Sequence, residues 1–491
     1  MIPAEARRED HGGGPPMLFR QIADPALSQY AYLIGCPDSG EALIIDPERD
    51  VDRYRAAAEA EGLRLVGAAE THIHADFLSG LRELAERVGV HAYGSGEGGE
   101  KWTPRWRPAN PNAPFTLLRH GDTIRLGAVE LTALATPGHT PEHLSFLVTD
   151  HAAAPDTPVG LLSGDFVFTG NLGRPDLLDT AAGYESTRFE AAERLRHSAR
   201  TLADLPDFLQ VWPAHGAGSA CGKALGAVPV STLGYERRTN RALTLAPDRA
   251  AFTDYILGAQ PEPPLYFGRM KTLNRDGVPL LGEPPDPPVL TADAARARSD
   301  SAVVLDTRSP QRHAMGHPPG SISCGLSLAF CNMAGSMVEP DREIVLIADH
   351  APARDDAVRR LVRIGLDRIV GWIDHDTLVS GDACLERAEM VAPADLAETV
   401  ERDGAALYDV RLANELANPG VPGAKRLPYT RAATMLDEVE TDRPAVLYCM
   451  TGVRSEAVAS LLRARGVDAR SLAGGLTAWR ALSGAGRAAV H

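Results

Sequence analysis

The segment between residues 71 and 80, which reads Thr-His-Ile-His-Ala-Asp-Phe-Leu-Ser-Gly, restricts what this chain can fold into more than any other stretch. It places His72, His74 and Asp76 within five residues, directly after the apolar run 63–69. An apolar run of this length predicts a buried strand, so the three polar side chains fall at a strand end. Imidazole and carboxylate groups gathered at such a point are typical ligands of a protein metal site. The segment therefore predicts a metal centre.

The size and the overall charge of the chain narrow its class. With 491 residues the chain is too long for one hydrophobic core, which favours several domains. The formal net charge of −15 at pH 7 argues against nucleic acid or an anionic membrane as a partner. No apolar run reaches the roughly eighteen residues that a membrane-spanning helix needs. We therefore expect no nucleic-acid partner and no membrane partner.

The N-terminal residues and the cysteines indicate the compartment. Residues 1–16 are charged and rich in glycine and proline, without the apolar centre of a secretory signal, and we expect them to form a disordered tail. The chain has six cysteines and no Cys-x-x-Cys pair. This pattern is typical of a reduced, cytoplasmic protein rather than of a disulfide framework.

The alternation of strand-like and helix-like segments predicts three domains. The first covers residues 17–275, and a connector rich in proline and glycine follows at 276–288. The second and third cover 289–380 and 392–487 and resemble two diverged copies of one unit. The matched pairs are 303–308 with 406–411, 319–322 with 422–425, 344–348 with 445–448, 355–364 with 455–465, and 370–372 with 474–479. Strands and helices alternate in each copy, which predicts small α/β domains with parallel sheets.

Four clusters of ligand-type residues follow strand-like runs in the first domain. They are His72-Ile-His-Ala-Asp76, Thr136-Pro-Gly-His-Thr140, Ser163-Gly-Asp165 and Trp212-Pro-Ala-His215-Gly216. One such cluster alone is typical of a turn with a solvated side chain, but four strand ends can meet at one edge of a sheet sandwich. The order of the clusters resembles that of the metallo-β-lactamase fold, an αββα sandwich. This resemblance covers about half of the chain and implies a metal site.

One group within that superfamily resembles the sequence more closely. Gly173-Arg-Pro-Asp176 follows the third cluster, as in the persulfide dioxygenases of the ethylmalonic-encephalopathy type, which are mononuclear non-haem iron enzymes. Carried over to this chain, the resemblance implies His72, His139 and Asp165 as the iron ligands. Phe77 stands where related dimetal enzymes have a histidine, and its ring cannot bind a second metal. Two histidines and one carboxylate also form the facial triad of non-haem Fe(II) oxygenases. We therefore predict one Fe(II) per chain, with zinc as the alternative.

Further residues near these clusters receive supporting roles. We expect His74, Asp76 and His215 to orient the ligands or to line the approach to the metal. Arg174 is a candidate clamp for a carboxylate of the substrate's thiol carrier, and an ion pair with a neighbouring carboxylate is the alternative. Cys221 lies in a setting that carries a cysteine in bacterial dioxygenase–rhodanese fusions. It is therefore a candidate for accepting or passing sulfur, and simple burial as a small apolar side chain is the alternative.

A cysteine loop in the third domain predicts sulfur transfer. Cys449-Met-Thr-Gly-Val-Arg454 follows an apolar strand-like run and precedes a helix-like segment. Backbone N–H groups, the start of a helix and the Arg454 guanidinium would surround the thiol with positive potential, which makes it a nucleophile and stabilises a persulfide anion. The Cys-x4-Arg spacing, Asp409-Val-Arg411 and Gly474-Gly-Leu-Thr-Ala-Trp479 resemble an active rhodanese, with Cys449 and Arg454 as the catalytic residues.

The second domain carries an aspartate where the third carries its catalytic cysteine. The segment reads Asp349-His-Ala-Pro-Ala-Arg354. A carboxylate cannot accept sulfane sulfur, so we predict that this rhodanese-like copy is inactive and supports packing or assembly. Packing is also the expected role of the cysteines outside any motif, Cys36, Cys324, Cys331 and Cys384.

Together the motifs resemble the sulfide-detoxifying dioxygenase–rhodanese fusions. The resemblance implies oxidation of a low-molecular-weight thiol persulfide by O2 to sulfite at Fe(II), coupled to thiosulfate chemistry at Cys449. Two alternatives stay open: a mono- or dizinc thioester hydrolase of the glyoxalase II type joined to a sulfurtransferase, and a non-redox sulfur carrier. The thiol carrier (glutathione, mycothiol, bacillithiol or coenzyme A) and the direction of sulfur transfer are also open. We expect a homo-oligomer, either a dimer or a tetramer.

Overall fold

The fold is described from a computed structural model of the chain, over residues 15–177, 187–223, 225–298, 301–380 and 385–485. Most of the expected tail, residues 1–14, lies outside these ranges, and so does Cys384. The first strand begins at Leu18. Among the described helices, none is both long enough and apolar enough to cross a membrane.

The strands and helices alternate along the whole described chain. The strands are β1 (Leu18–Asp24), β2 (Gln29–Cys36), β3 (Glu41–Ile45), β4 (Arg64–Ala69), β5 (His91–Ser95), β6 (Phe115–Leu118), β7 (Thr123–Leu126), β8 (Val129–Ala135), β9 (Leu144–Asp150), β10 (Gly160–Gly164), β11 (Val167–Phe168), β12 (Asn171–Leu172), β13 (Gln210–Pro213), β14 (Ser231–Thr232), β15 (Ala302–Asp306), β16 (Ile322–Ser323), β17 (Glu343–Ala348), β18 (Ile369–Asp374), β19 (Met390–Val391), β20 (Ala406–Asp409), β21 (Lys425–Arg426), β22 (Ala445–Tyr448) and β23 (Ala469–Leu472). The helices are α1 (Asp52–Ala60), α2 (Leu81–Val88), α3 (Arg188–Thr201), α4 (Leu233–Thr239), α5 (Arg241–Leu245), α6 (Arg249–Leu257), α7 (Phe267–Asp276), α8 (Ala292–Arg296), α9 (Pro310–Met315), α10 (Phe330–Met337), α11 (Ala351–Arg363), α12 (His375–Ser380), α13 (Leu396–Arg402), α14 (Val453–Arg463) and α15 (Gly475–Ala485).

Two six-stranded sheets pack face to face in the first part of the chain, which we call the sandwich. Their strand orders are β1-β2-β3-β4-β5-β6 and β14-β13-β10-β9-β8-β7. Successive strand residues point to opposite faces, so Ile34 packs between the sheets with Phe146, whereas Leu33 packs outward against Tyr54 of α1. Leu195 of α3 packs on the outer face of the second sheet. This is an αββα sandwich, and the prediction of a metallo-β-lactamase fold is confirmed.

Two smaller sheets follow, each built from parallel strands. Their orders are β16-β15-β17-β18 and β19-β23-β22-β20-β21. We call the first sheet with its helices the inactive copy and the second the active copy. Strands β15, β16 and β17 occupy the places that β20, β21 and β22 occupy in the active copy. The α/β class with parallel sheets is confirmed, and the domain limits given above stay predictions.

One of the repeat pairs matched from the sequence is wrong. Trp372 lies in β18, whereas Trp479 lies in α15. Strand β18 pairs with β17 as β23 pairs with β22, so residues 369–374 correspond to 469–472. Both matched segments place a tryptophan after a glycine, but only the second has two consecutive left-handed glycines, with φ of 67° and 59°, that lead into a helix.

Buried ion pairs join the sandwich to the inactive copy. Arg363, at the end of α11, donates to Asp50 at 2.6 and 2.8 Å and to Asp24 at 2.8 Å. The three side chains are buried, so each charge depends on its partners to offset the loss of water. The backbone N–H of Leu78 donates to the carbonyl oxygen of Arg363 at 2.7 Å, which fixes the inactive copy to the segment that carries His72.

One apolar core crosses all three parts of the chain. It contains Phe77 from the sandwich, Tyr266 from the segment before α7, Phe330 from α10 and Leu447 from β22. Helix α10 of the inactive copy lies within this core, and the hydroxyl of its Ser336 accepts the backbone N–H of Leu265 at 3.3 Å. The three parts are therefore packed into one body.

Candidate metal centre and cysteine loop

The four clusters predicted from the sequence meet at one edge of the sandwich. The segment with His72 follows β4, His139 follows β8, Asp165 follows β10 and His215 follows β13. Strands β8 and β10 both run antiparallel to β9, and β13 runs parallel to β10, so these three strands end at the same edge. The topology thus gathers side chains that are far apart in the chain.

Three side-chain atoms face one another at this edge. The Nε2 atoms of His72 and His139 lie 3.8 and 3.4 Å from Oδ2 of Asp165. None of these atoms has a hydrogen-bond partner among the described residues, and all three side chains are buried. Unpaired polar atoms in such a place are costly unless a ligand engages them. Two imidazoles and one carboxylate fit a divalent transition metal with open coordination positions.

The remaining atoms of the two histidines fix the ring orientation. Nδ1 of His139 donates to the carbonyl oxygen of Arg174 at 2.8 Å. Nδ1 of His72 contacts Oγ1 of Thr71 at 2.9 Å, and that hydroxyl donates to Asp46 at 2.9 Å. Since Nδ1 carries the proton in both rings, both present an unprotonated Nε2 to the metal position.

The electrostatics of the site favour neutral histidine ligands. Burial lowers the pKa of His72 and of His139 well below the usual value, and the positive charge of Lys271 lowers both further. Lys271 is itself buried, and its Nζ has no hydrogen-bond partner within the described part of the chain. No sequence motif marks this lysine, because only the packing of α7 brings it to the site.

His215 and Asp76 lie one and two hydrogen bonds from the triad. His215 donates from Nδ1 to Asp165 at 2.6 Å and from Nε2 to Asp76 at 2.8 Å. Burial lowers the pKa of His215, but the two carboxylates outweigh burial and raise it well above the usual value. The ring is therefore a cation held between two anions, and it fixes the direction of the Asp165 carboxylate.

Asp46 is a site residue that the sequence patterns did not reveal. Its carboxylate accepts the backbone N–H of Thr71 at 2.7 Å and contacts Nε2 of His74 at 3.1 Å. Its backbone is left-handed, with φ of 52°, which is uncommon outside glycine and marks a position held by its surroundings. Asp46 could have been found from its position directly after β3. Strand β3 is parallel to its neighbour β4, so residues that follow the two strands lie at the same edge of the sheet.

Phe77 fills the space beside His74 with carbon. The two ring centres are 4.3 Å apart. The amide of Asn274 donates to the carbonyl oxygens of His74 and Phe77 at 2.9 and 2.8 Å, which holds the segment in place. The Phe77 side chain therefore offers no metal ligand at this position.

A second group of ligand-type atoms lies next to the triad. It consists of Asp76, His215 and Cys221, whose ligand atoms are all within 4.8 Å of one another. Burial raises the pKa of the Cys221 thiol well above the usual value, and Asp76 and Asp165 raise it further. A neutral, buried thiol is a weak nucleophile. The role of Cys221 in sulfur transfer stays a prediction.

Arg174 is buried and engaged by protein groups. It donates from Nε and Nη2 to Asp176 at 2.8 and 2.6 Å, and from Nη1 to the carbonyl oxygens of Ala220 and Pro261 at 3.2 and 2.7 Å. Its backbone N–H donates to the carbonyl oxygen of Cys221 at 3.2 Å. These contacts tie the loop after β12 to the Cys221 loop, and the role of Arg174 as a substrate clamp stays a prediction.

The Cys449 loop closes between β22 and α14. Sγ of Cys449 accepts the backbone N–H of Gly452 at 3.1 Å, and the hydroxyl of Ser455 donates to it at 3.7 Å. Gly452 has φ of 95°, a left-handed conformation that turns the chain into α14. Arg454 lies in the first turn of that helix and pairs with Glu415 at 2.6 and 2.8 Å. Two donors therefore contact the sulfur, and the Arg454 cation lies on the helix that follows, an arrangement that favours a persulfide anion.

The corresponding loop of the inactive copy holds a carboxylate. Asp349 follows β17 as Cys449 follows β22, and it pairs with Arg312. Nδ1 of His350 accepts the backbone N–H of Ala353 at 3.1 Å and caps α11. This loop is thus organised around an ion pair.

Comparisons with known proteins divide the chain in the same way. The metallo-β-lactamase superfamily model matches residues 24–215, and the rhodanese-like domain model matches residues 392–482. The mitochondrial persulfide dioxygenase ETHE1 of Bos taurus is 32% identical over 240 residues, which are 48% of this chain and 79% of that protein. The same enzyme of Homo sapiens is 31% identical over 237 residues, with the same shares.

Two further relatives extend the comparison. A hydroxyacylglutathione hydrolase of Polaromonas is 30% identical over 191 residues, which are 39% of this chain and 63% of that protein. The crystal structure of a metallo-β-lactamase from Staphylococcus aureus subsp. aureus COL is 40% identical and superposes with a TM-score of 0.65. That superposition covers 73% of this chain and 99% of the other, so the similarity extends beyond the sandwich.

Proposed function

This chain belongs to the metallo-β-lactamase superfamily and carries a rhodanese-like domain, and from that premise we propose that it oxidises a low-molecular-weight thiol persulfide with O2 to sulfite. Cys449 carries sulfane sulfur in thiosulfate chemistry. The observation that carries the proposal is the set of three unpaired, buried atoms, Nε2 of His72, Nε2 of His139 and Oδ2 of Asp165. Similarity to persulfide dioxygenases over nearly half of the chain supports it.

The residues of the site have separate tasks in this reaction. His72, His139 and Asp165 would hold one Fe(II), and the bound metal would supply the redox chemistry that joins the persulfide sulfur to O2. His215 keeps the Asp165 carboxylate aimed at the metal through its hydrogen bond. The buried Lys271 offers positive charge to the anionic substrate. The net reaction consumes RSSH, O2 and H2O and yields RSH, SO3²⁻ and two protons.

A pocket beside His139 provides a place for the thiol carrier. Its volume is about 250 Å³. Its lining includes Trp102, Gly138, Pro141, Lys101 and Arg194. Arg194 pairs at 2.6 Å with Glu190, which also lines the pocket, so Lys101 is the cation that suits a carboxylate or phosphate of an anionic carrier. We therefore propose a carrier that bears at least one such group.

Sulfane transfer at Cys449 consists of two displacements. The Cys449 thiolate attacks the outer sulfur of the donor, the donor S–S bond breaks, and the donor leaves as sulfite or as a thiolate. An acceptor nucleophile then attacks the outer sulfur of Cys449–S–S⁻ and regenerates the thiolate. The backbone N–H of Gly452 and the cation of Arg454 stabilise the negative charge in both steps.

The test joins metal analysis to O2 uptake with a thiol persulfide. We expect one iron per chain and O2 consumption that yields sulfite. His139→Ala removes a ligand and should abolish O2 uptake, whereas the matched variant His151→Ala, which alters a histidine with a 39% exposed side chain, should not. Zinc in place of iron, with no O2 consumed, would contradict the proposal.

Thioester hydrolysis at a zinc centre is the second candidate function. The group Asp76, His215 and Cys221 favours it, because its ligand atoms lie within 4.8 Å of one another, and a second metal ion there would replace the proton on Nε2 of His215. Phe77 argues against it, since the ring adds no ligand. Two zinc ions per chain and hydrolysis of a glutathione-type thioester at an unchanged rate without O2 would support this alternative.

A further inference from the structure

A cavity of about 80 Å³ lies where the sandwich, the inactive copy and the active copy meet. Its lining includes Ser219 and Gly222 from the loop after His215, Asn332 from α10, and Asn414 and Tyr429 from the active copy. A space of this size holds several water molecules or one small oxyanion. It is too small for a tripeptide or a nucleotide.

Asn332 links the polar groups on the two sides of this cavity. The hydroxyl of Tyr266 donates to Oδ1 of Asn332 at 3.3 Å and also lies 3.0 Å from the backbone oxygen of Asp76. The side chain of Asn332 also hydrogen-bonds Tyr429. The inactive copy thus contributes the amide that lies between a tyrosine beside the metal centre and a tyrosine of the active copy.

A glycine in α10 allows this helix to pack closely against Tyr266. Gly335 lies one helical turn after Asn332, and a Cβ atom at this position would lie 2.3 Å from Cδ1 of Tyr266. Only the absence of a side chain lets the helix approach the tyrosine closely enough for Asn332 to reach its hydroxyl. The contact is therefore specified at two positions of α10.

Neighbours of both reactive sites line the cavity. On one side, Ser219 and Gly222 flank Cys221, whose thiol lies with Asp76 and His215 beside the metal triad. On the other side, the guanidinium of Arg454 lies 5.3 Å from the ring centre of Tyr429. The cavity thus lies between the loop that carries Cys221 and a tyrosine in contact with Arg454.

We propose that the cavity holds a small sulfur oxyanion, sulfite above all, on its way from the metal centre to Cys449, with Asn332 of the inactive copy as the residue that binds it. The proposal rests on the proposed function, because sulfite arises at the metal centre. Amide and hydroxyl donors suit an oxyanion, and the volume suits its size. The inactive copy therefore has a role in the chemistry.

The step that follows is balanced without any further reactant. The sulfur lone pair of sulfite attacks the outer sulfur of Cys449–S–S⁻, the S–S bond to Cys449 breaks, and the electron pair stays on Cys449 as a thiolate. Thiosulfate leaves. No external oxidant or reductant takes part, and the total charge is the same before and after.

Isotope dilution in the iron-loaded full chain tests the passage. The persulfide substrate carries a heavy sulfur isotope at its outer sulfur, and unlabelled sulfite is present in excess in solution. The sulfonate sulfur of the thiosulfate formed is then analysed by mass spectrometry. We expect it to remain enriched far above the isotope ratio of the sulfite in solution, because the sulfite made at the metal does not mix with the bulk.

Asn332→Asp is the informative variant, since it keeps the size of the side chain and places a negative charge beside the anion. We expect its O2 uptake to equal that of the unaltered chain, and its sulfonate sulfur to fall to the isotope ratio of the solution. Asn110→Asp, at a position that does not line the cavity, should retain the label. Dilution of the label in the unaltered chain would overturn the passage and leave the proposed function standing, whereas absence of O2 uptake would overturn both.

A second measurement uses Cys449 alone and does not depend on the metal. In the transfer of sulfur from thiosulfate to cyanide, Asn332→Asp should raise the KM for thiosulfate about tenfold through charge repulsion and leave kcat unchanged. A merely structural role would lower kcat or the melting temperature instead. An unchanged KM would show that the anion does not bind beside Asn332.

Discussion

The two rhodanese-like copies place an aspartate–arginine pair at the end of the same strand with the same geometry. In the inactive copy Arg308 donates to Asp306 at 2.9 Å from Nε and at 2.6 Å from Nη2. In the active copy Arg411 donates to Asp409 at 2.9 and 2.6 Å from the same atoms. All four side chains are buried. The scaffold of the fold is therefore kept in both copies, including one bidentate ion pair.

The copies differ at the end of the neighbouring strand. Cys449 accepts the backbone N–H of Gly452, in a loop whose donors face the sulfur. Asp349 instead pairs with Arg312, and the ring of His350 caps the helix that follows. The anion that the active copy would acquire with a bound sulfur is permanently present in the inactive copy as a carboxylate.

The arginine that closes the loop is present in both copies but has different neighbours. Arg454 pairs with Glu415 and lies over the ring of Tyr429. Arg354 lies over Trp372, with 5.1 Å between the guanidinium carbon and the ring centre, and pairs with carboxylates on the surface. The difference teaches that the sheet and its ion pair serve stability, whereas the loop and the neighbours of its arginine decide activity.

Exchange of the two loop residues is the strongest way to break this comparison. Cys449→Ser should lower thiosulfate sulfurtransferase activity by at least roughly 1,000-fold, because the attacking atom is lost. Asp349→Cys added to that variant should not restore activity, since the loop stays organised by His350. Thiocyanate formation from thiosulfate and cyanide measures both. Activity in the double variant would mean that one residue alone separates the copies.

Removal of the aspartate–arginine ion pair should lower the stability of the folded protein equally in either copy. Asp306→Ala and Asp409→Ala each leave a buried arginine without its partner, which should lower the free energy of unfolding by about 3–5 kcal/mol. Denaturant unfolding measures the loss, and the exposed variant Asp442→Ala is the control. A small loss in only one copy would show that the two pairs are not equivalent.

The loop arginines should differ in function. Arg454→Ala should lower the kcat of sulfur transfer about 10–100-fold, because a charged hydrogen-bond donor to the persulfide contributes about 1.5–3 kcal/mol. Arg354→Ala should leave kcat unchanged, since the loop of the inactive copy holds no thiol. Steady-state kinetics with thiosulfate compares the two, and an equal loss would contradict the assignment of activity to one copy.

The pH dependence of stability tests the contact between the two copies, where His317 and His313 lie beside Glu456. His317 stacks on His313 at 3.9 Å between ring centres, and His313 contacts Glu456 of the active copy at 3.1 Å. Burial, followed by the charge of His313, lowers the pKa of His317 to about 4 from 6.5. Between these two values the unfolded chain binds more protons than the folded chain, so stability is full above pH 6.5 and falls as the pH is lowered.

We therefore expect the free energy of unfolding, and with it the melting temperature, to fall between pH 7 and pH 5, and His317→Gln to reduce the fall in free energy by about 1 kcal/mol, a value discounted for partial exposure. Thermal unfolding of the two chains over this range checks the expectation. An identical slope in the variant would show that His317 does not control the acid response.

The metal site could be predicted from the sequence to the extent that its residues lie directly after strands. His72, His139 and Asp165 each follow a strand, and their convergence depends only on strands that end at one edge. The spacing of apolar residues over 81–88 likewise predicts a helix, and α2 runs from Leu81 to Val88. At these positions the local sequence pattern and the tertiary structure agree, so the sequence alone is enough to predict them.

The residues that the sequence did not predict are positioned by tertiary packing between distant elements. Lys271 and Asn332 arrive on helices from other parts of the chain, and no spacing in the sequence connects them to the metal ligands. For Arg174 the sequence suggests a function that its contacts do not display. Its sequence neighbours suggest a substrate clamp, whereas its side chain donates to Asp176 and to two carbonyl oxygens. A pattern of residues identifies chemistry at strand ends, but it does not identify partners from distant elements.

The apolar core that contains Phe77, Phe330 and Leu447 couples the stability of the three parts of the chain. A fragment cut within residues 276–288 would expose to water the apolar surface that the other fragment covers, at a cost of roughly 25 cal/mol per Å². Unfolding should therefore proceed as one cooperative transition in calorimetry. A destabilising change in the inactive copy would then remove both activities together, through loss of the folded protein rather than through the chemistry of either site.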